Sequence, residues 1–396
     1  MDEQLLNKYS KVLIDFALND GKGIKKGDVV LLRVPECAKP MLKSLYTTVL
    51  KSGGHPIVQY SPDDMSRLIF EHGSDEQIAF SSKILQKAYI NQVDQVVSII
   101  ATTNKKELEG IDANKIISRQ KAMKHFRDAL QEKENKKKLT WTLAMYPTKE
   151  MAKEVNMSLE QYWQEIIKAC YLDHEDPVSK WREILNQIET TKNTLNKLDI
   201  NYLHIEALDT DLKIGLDKNR KWMCGSGRNI PSFEIFISPD FRRTQGKIKF
   251  TEPLYRYGNL ITDVYLEFNK GKVTKFDASK GREVLKSMIE TKGANYVGEF
   301  SLTDRRLSRI TKFMGETLFD ENVGGDQGNT HIALGSAYKD SYPKDVSKVK
   351  KEDWKKMGYN ESIIHTDIVS TSKRKVTAHL NDGTKKVIYE NGEFKL

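Results

Sequence analysis

Between residues 28 and 147 the chain alternates strand-like and helix-like segments, and this alternation restricts its fold more than any other feature. "DVVLLRV" (28–34) is a short β-branched run, with Lys26-Gly27 before it and Pro35 after it. "AKPMLKSLYTTVLKSGG" then sets Met41, Leu45, Val49 and Leu50 at helical spacing and stops at Gly53-Gly54, a natural helix terminator. "PIVQY" (56–60) is the next strand. A strand, a helix of this length and a second strand form a βαβ unit, its strands parallel and its crossover right-handed. "VDQVVSIIATT" (93–103) and "LTWTLAMYP" (139–147) extend the series. "SLEQYWQEIIKACYL" (158–172), with Leu159, Trp163, Ile166, Ile167 and Cys170 along one face, and "VSKWREILNQIETTKNTLNKL" (178–198) read as long helices.

After about residue 200 the texture changes. "YLHIEAL", "TDLKIGL", "EIFISP" and the long run from Gly246 to Ser279 are short alternating segments punctuated by Gly, Asn and Asp. "NKGK" (269–272) and "NDGT" (381–384) have hairpin-turn chemistry, while "KGREVLKSMIETKG" (280–293) reads as a helix. The expected fold class is α/β: an N-terminal parallel βαβ domain over 1–205, then a β-rich α+β domain over 206–396.

Composition excludes several functions. A chain of 396 residues can bury a large core. No apolar run reaches the roughly 18–20 residues of a membrane span, and the opening "MDEQLLNKYSKVLIDFAL" is an acidic amphipathic helix rather than a secretory signal. Cys37, Cys170 and Cys224 lack CxxC spacing, which argues against a disulfide framework or a thiolate zinc site. The net charge of +9 raises nucleic acid. The lysine-dense stretches at 132–138 and 347–356 are, however, interleaved with acids, and no nucleic-acid-binding motif is present. The expectation is a cytoplasmic protein that engages neither nucleic acid nor membrane.

The chemistry-bearing residues lie in the second half. Glu234 interrupts the apolar "SFEIFIS", Glu299 lies between Val297 and Phe300, and Asp320-Glu321 follow Leu318-Phe319. His331 comes after a glycine-rich turn, and "IIHTDIVS" sets His365 and Asp367 on one face of a strand. Taken singly, Glu234 reads equally as a solvent-facing edge-strand acid, and each histidine as an ordinary core or surface residue. Together, three Glu, one Asp and two His in one domain suit two divalent ions sharing a bridging carboxylate. There is no HExxH, and "GSG" (225–227) and "GGDQG" (324–328) lack the strand-to-helix context of a phosphate loop.

The series "NIPSFEIF", "GEFSL", "TLFDEN…THIALGSAY" and "HTD" resembles the M29 family of metal-dependent aminopeptidases, in order and in approximate separation across the C-terminal half. The resemblance implies that Glu234, Glu299, Glu321, His331, His365 and Asp367 surround two divalent ions, with zinc, cobalt, manganese and magnesium all compatible. It implies Glu299 as the bridge, either Glu299 or Glu321 as the base, and Tyr338 as the catalytic tyrosine. If "HIALGSAY" is helical, Tyr338 shares a face with His331. The implied activity is release of N-terminal residues from peptides with a free N-terminus, by a homodimer. Two features depart from the family pattern: the long "VGGDQGNT" between Glu321 and His331, and Arg305-Arg306 after Glu299, which suggest a reshaped pocket or a preference for acidic peptides. A dinuclear phosphoesterase and a basic non-catalytic interaction protein are the rival readings.

Overall fold

The computed structural model describes residues 2–256 and 258–396. The chain separates into two compact units: residues through Arg182 with Ser226–Pro231, and Glu183–Gly225 with Ser232–Leu396.

The first unit is built on a five-stranded parallel sheet in the order His55–Ser61, Val29–Pro35, Gln95–Ile100, Thr140–Met145, Asn229–Ile230. Val30, Leu31, Leu32 and Val34 are all buried, as expected of a parallel strand covered on both faces. The crossover helix Lys39–Lys51 has Pro40 in its first turn, where no backbone donor is needed. It buries Met41, Leu45 and Val49 but leaves Leu50 54% exposed, so the apolar face is narrower than the sequence spacing suggests. Gly53, at φ +82°, supplies the left-handed residue that ends it. The first helix, Glu3–Lys11, is capped by Asp2, whose side chain accepts from the Gln4 N–H. The segment 226–231 belongs here because Asn229–Ile230 pairs in parallel with Leu143–Ala144.

Beside a two-stranded antiparallel pair, Leu254–Arg256 with Asn259–Ile261, the second unit holds two large antiparallel sheets. One has eight strands, from Lys272–Asp277 at one edge through Thr244–Lys249, Ile200–Ala207 and Arg374–Leu380 to Glu393–Phe394. The other has five, in the order His365–Ser370, Asn329–Gly335, Val297–Thr303, Glu234–Ile237, Met223–Cys224. The two central strands of the latter, Val297–Thr303 and Asn329–Gly335, are buried at every residue, so this sheet lies in the core of its unit. Both predicted hairpin turns and the helix Arg282–Glu290 are present. Among the described residues no helix is long and apolar enough to cross a membrane.

Candidate metal centre

Strand register brings five of the candidate residues together. Glu299 pairs with Ala333 and Ala333 with Asp367, while Ser301 pairs with His331, and Gly335 with His365. On the other side Thr303 pairs with Glu234. Because alternate residues share a face, Glu234, Glu299, His331, His365 and Asp367 all project from the same side of the sheet. The residues interleaved with them, Ser301, Ala333 and Gly335, are small and leave room. Glu299 is in phase with Ser301 and Thr303 on this face, and a bulge shifts the register just before it, between Val297 and Glu299.

The distances define two overlapping donor sets. His331 Nε2 lies 3.4 Å from Glu234 Oε2 and 3.5 Å from Glu299 Oε1. His365 Nε2 lies 3.3 Å from Glu299 Oε2 and 3.3 Å from Asp367 Oδ1. Glu299 therefore offers one oxygen to each set. Both imidazoles are oriented from behind: His365 Nδ1 is 2.8 Å from the Ser336 carbonyl, and His331 Nδ1 is 3.3 Å from that of Glu321. An Nδ1–H donated to a carbonyl leaves Nε2 as a lone-pair donor aimed at the cluster, the usual support of a metal-binding histidine.

Electrostatics tests whether this donor set fits a cation. Among the described residues no lysine or arginine forms an ion pair with Glu234, Glu299 or Asp367, although Glu234 and Glu299 are 7% and 2% exposed. Burial, then the neighbouring charge of Glu299, pushes Glu234 up to about 7. Burial and the Glu234 and Asp367 charges hold Glu321 well above the carboxylate range. Burial disfavours a charged His331, but the Glu299 hydrogen bond and the surrounding carboxylates outweigh it and lift the imidazole to about 10. Asp367 goes the other way: burial opposes its ionisation, yet His365, His331 and Arg256 carry it down to about 2. In the metal-free chain the cluster thus compensates its charge by holding protons, and a divalent cation is what such a set of acids and oriented imidazoles accommodates.

Glu321 and Tyr338 stand apart from the two close sets. Glu321 follows the short helix Thr317–Asp320 and couples to the cluster through charge, while its carbonyl orients His331. Asp320 instead accepts the Met314 N–H at 2.6 Å. "HIALGSAY" is not helical: Asn329–Gly335 is a strand, and Tyr338 lies beyond it at the start of a 3₁₀ turn. The tyrosine reaches the site by a different route, its ring 4.7 Å from that of His365 and 5.5 Å from that of Phe236. Its N–H donates to Ser238 Oγ at 2.8 Å, and it is 37% exposed. Arg305 and Arg306 do not stand ready for acidic peptides. Arg305 Nη2 is 2.8 Å from Glu393 Oε1, and Arg306 is tied to Asp304.

Several supporting residues are missed by the sequence reading. Ser301 Oγ and Ser232 Oγ each lie 3.4 Å from a Glu234 oxygen, and Asn322 Oδ1 accepts the Phe233 N–H at 2.7 Å. Serines and asparagines of this kind have no local signature; only the register of distant strands shows what they support.

Residues 2–394 match the family model of the thermophilic metalloproteases, M29. The chain belongs to the M29 family. The match spans both compact units, so the M29 likeness is not confined to the metal-site sheet. Among M29-like relatives, aminopeptidase PepS of Streptococcus thermophilus is 28% identical over 98% of this chain and 97% of its own length. Aminopeptidase T of Thermus thermophilus is 26% identical over 96% of this chain and 97% of its own. The solved structure of wild-type AmpT from Thermus thermophilus superposes with a TM-score of 0.85 at 23% identity, over the full length of both chains, so the α/β fold is shared throughout. Membership makes this chain a peptidase, a metal-dependent hydrolase of peptide bonds.

Proposed function

We propose that the protein is an aminopeptidase that removes N-terminal residues at a two-ion centre. The observation that carries this is the position of Glu299, whose two oxygens face different histidine-containing donor sets. Glu234 and His331 would hold one divalent ion, His365 and Asp367 the other, with Glu299 shared and Glu321 beside them. When bound, such ions supply Lewis acidity, which acidifies a water and polarises the scissile carbonyl. The chain's own residues supply the rest. Because Glu299 is committed to both sets, Glu321 takes the proton-accepting role. Tyr338, partly exposed beside His365, donates its hydroxyl hydrogen to the oxyanion as charge develops there. The Phe236 and Tyr338 rings form an apolar wall near the site. Specificity for a free N-terminus is supported by the names of the relatives, all of them aminopeptidases. Cytoplasmic residence and homodimeric assembly belong to the same reading.

The test is hydrolysis of aminoacyl-p-nitroanilides by chelator-treated protein, with and without zinc, cobalt, manganese or magnesium. Metal-restored release that disappears when the substrate amine is acetylated supports the proposal. Hydrolysis of p-nitrophenyl phosphate in place of the anilides would replace it with the phosphoesterase reading.

A further inference from the structure

The Glu234–Ile237 strand has a second face. Opposite the carboxylates and imidazoles, Ile237 lines a recess of about 470 Å³. Leu195, Leu198, Ile200, Leu216, Trp222 and Pro343 supply the rest of its apolar wall. Its charged groups are Lys197, Lys218, Arg220 and Lys221 against Asp199 and Asp217. Both acids are already engaged: Asp199 accepts Asn381 Nδ2 at 2.7 Å, and Asp217 accepts the Asn219 N–H at 2.7 Å. The exposed Lys197 and Lys218 form no ion pair among the described residues. Arg220 is buried, its side chain 1% exposed, and it forms a long ion pair with Asp217 at 4.0 Å. Its Nη2 donates to the Met357 carbonyl at 2.6 Å and its Nη1 to that of Asn219 at 3.3 Å, while its Nε is buried with no hydrogen-bond partner. With four basic side chains against two acids in its lining, the recess is a place where an anion gains and a second cation loses.

The recess also touches the segment that carries Tyr338. Residues 336–364 join two strands of the metal-site sheet and close around their own aromatic cluster of Tyr342, Trp354 and Tyr359. Arg220 stacks on Tyr359 at 4.0 Å, and the Lys221 N–H donates to the Ser341 carbonyl at 2.7 Å. Ser341 Oγ accepts the Ser238 N–H at 3.0 Å, and Ser238 Oγ in turn accepts the Tyr338 N–H at 2.8 Å. A continuous bonded path thus runs from the recess wall to the tyrosine beside His365.

We propose that this recess binds a small organic carboxylate with an apolar body, and that occupation is transmitted through Ser341 and Ser238 to Tyr338. The coupling rests on the role given to Tyr338 above; the binding does not. The experiment is calorimetric titration of the metal-loaded chain with hexanoate, its neutral analogue hexanamide, and L-leucine. Hexanoate binds wild type and Glu299→Gln alike, binds Lys197→Glu/Lys218→Glu about tenfold or more weakly, and hexanamide does not compete. Leucine binding in the same pattern makes released amino acids an occupant; hexanoate binding alone restricts the site to acids without an amine, and both results support it. Equal binding of hexanamide, binding that survives the double charge reversal in a correctly folded variant, or binding lost in Glu299→Gln overturns the site. At saturating hexanoate, kcat on leucyl-p-nitroanilide shifts in wild type but not in the double variant; an unmoved wild-type kcat overturns the coupling. An inactive chain would sink the aminopeptidase reading while leaving the titration fully readable.

Discussion

Glu299 Oε2 lies 3.3 Å from His365 Nε2, across a strand that separates their own two strands. The second oxygen of the same carboxylate lies 3.5 Å from His331 Nε2. A glutamate held between two imidazoles, each turned by a backbone carbonyl, links the two donor sets. Glu299→Ala is expected to abolish turnover and to lower bound metal from two ions per chain to one or none, with the circular dichroism spectrum unchanged. Metal analysis of the purified variant checks this, and wild-type turnover would sink the assignment.

Tyr338 has a different signature, since it touches His365 by ring contact and belongs to neither donor set. Tyr338→Phe keeps the ring and removes only the hydroxyl. It should reduce kcat by about 10²–10³-fold, the usual effect of losing one oxyanion donor, with KM and metal content nearly unchanged. A large loss of metal instead would place the tyrosine among the groups that hold the ions.

The pH dependence has a fixed sign. In the metal-free chain Glu234 is raised to about 7 and His331 to about 10. Groups raised on folding add stability that is complete below their unfolded values and is lost as pH rises through the folded ones. The metal-free protein should therefore lose thermal stability as pH rises from about 4.5 to about 10. Ion binding displaces these protons, so affinity rises with pH, and the increase in Tm caused by a saturating divalent ion grows over the same range. Thermal melts with and without metal at successive pH values decide the point; a metal-induced increment that shrinks with pH would contradict it.

Gly335 stands opposite His365 at φ +113°, where a Cβ would overlap the Ile364 carbonyl oxygen. Gly335→Ala combines a backbone strain worth about 1–3 kcal/mol with a collision at the strand that carries His365 and Asp367. A lowered Tm together with weaker metal binding is the expected outcome. Unchanged metal affinity would show that the sheet edge relaxes without moving the histidine.

The legible part of this site was the recurrence of acids inside apolar runs. Burying Glu234 or Glu299 is costly unless something at that position needs a carboxylate, and that reasoning requires no structure. The His365–Asp367 pair was equally readable, because period-two spacing places both on one strand face. What escaped depended on long-range pairing. Glu234 reads locally as an edge-strand acid, yet Val297–Thr303 on one side and Met223–Cys224 on the other enclose its strand. The helical option for His331–Tyr338 was wrong because pairing with two neighbouring strands overrides local propensity. Ser301 and Ser232 act only through register, and the two arginines after Glu299 look substrate-facing until Glu393 and Asp304 are seen beside them.

The most direct measurement is recovery of activity as metal is added back to chelator-stripped protein, read with leucyl-p-nitroanilide and its N-acetylated control. The two-ion account predicts that activity saturates at two equivalents per chain, with no release from the acetylated substrate. Saturation at one equivalent, or equal hydrolysis of the acetylated compound, would contradict it.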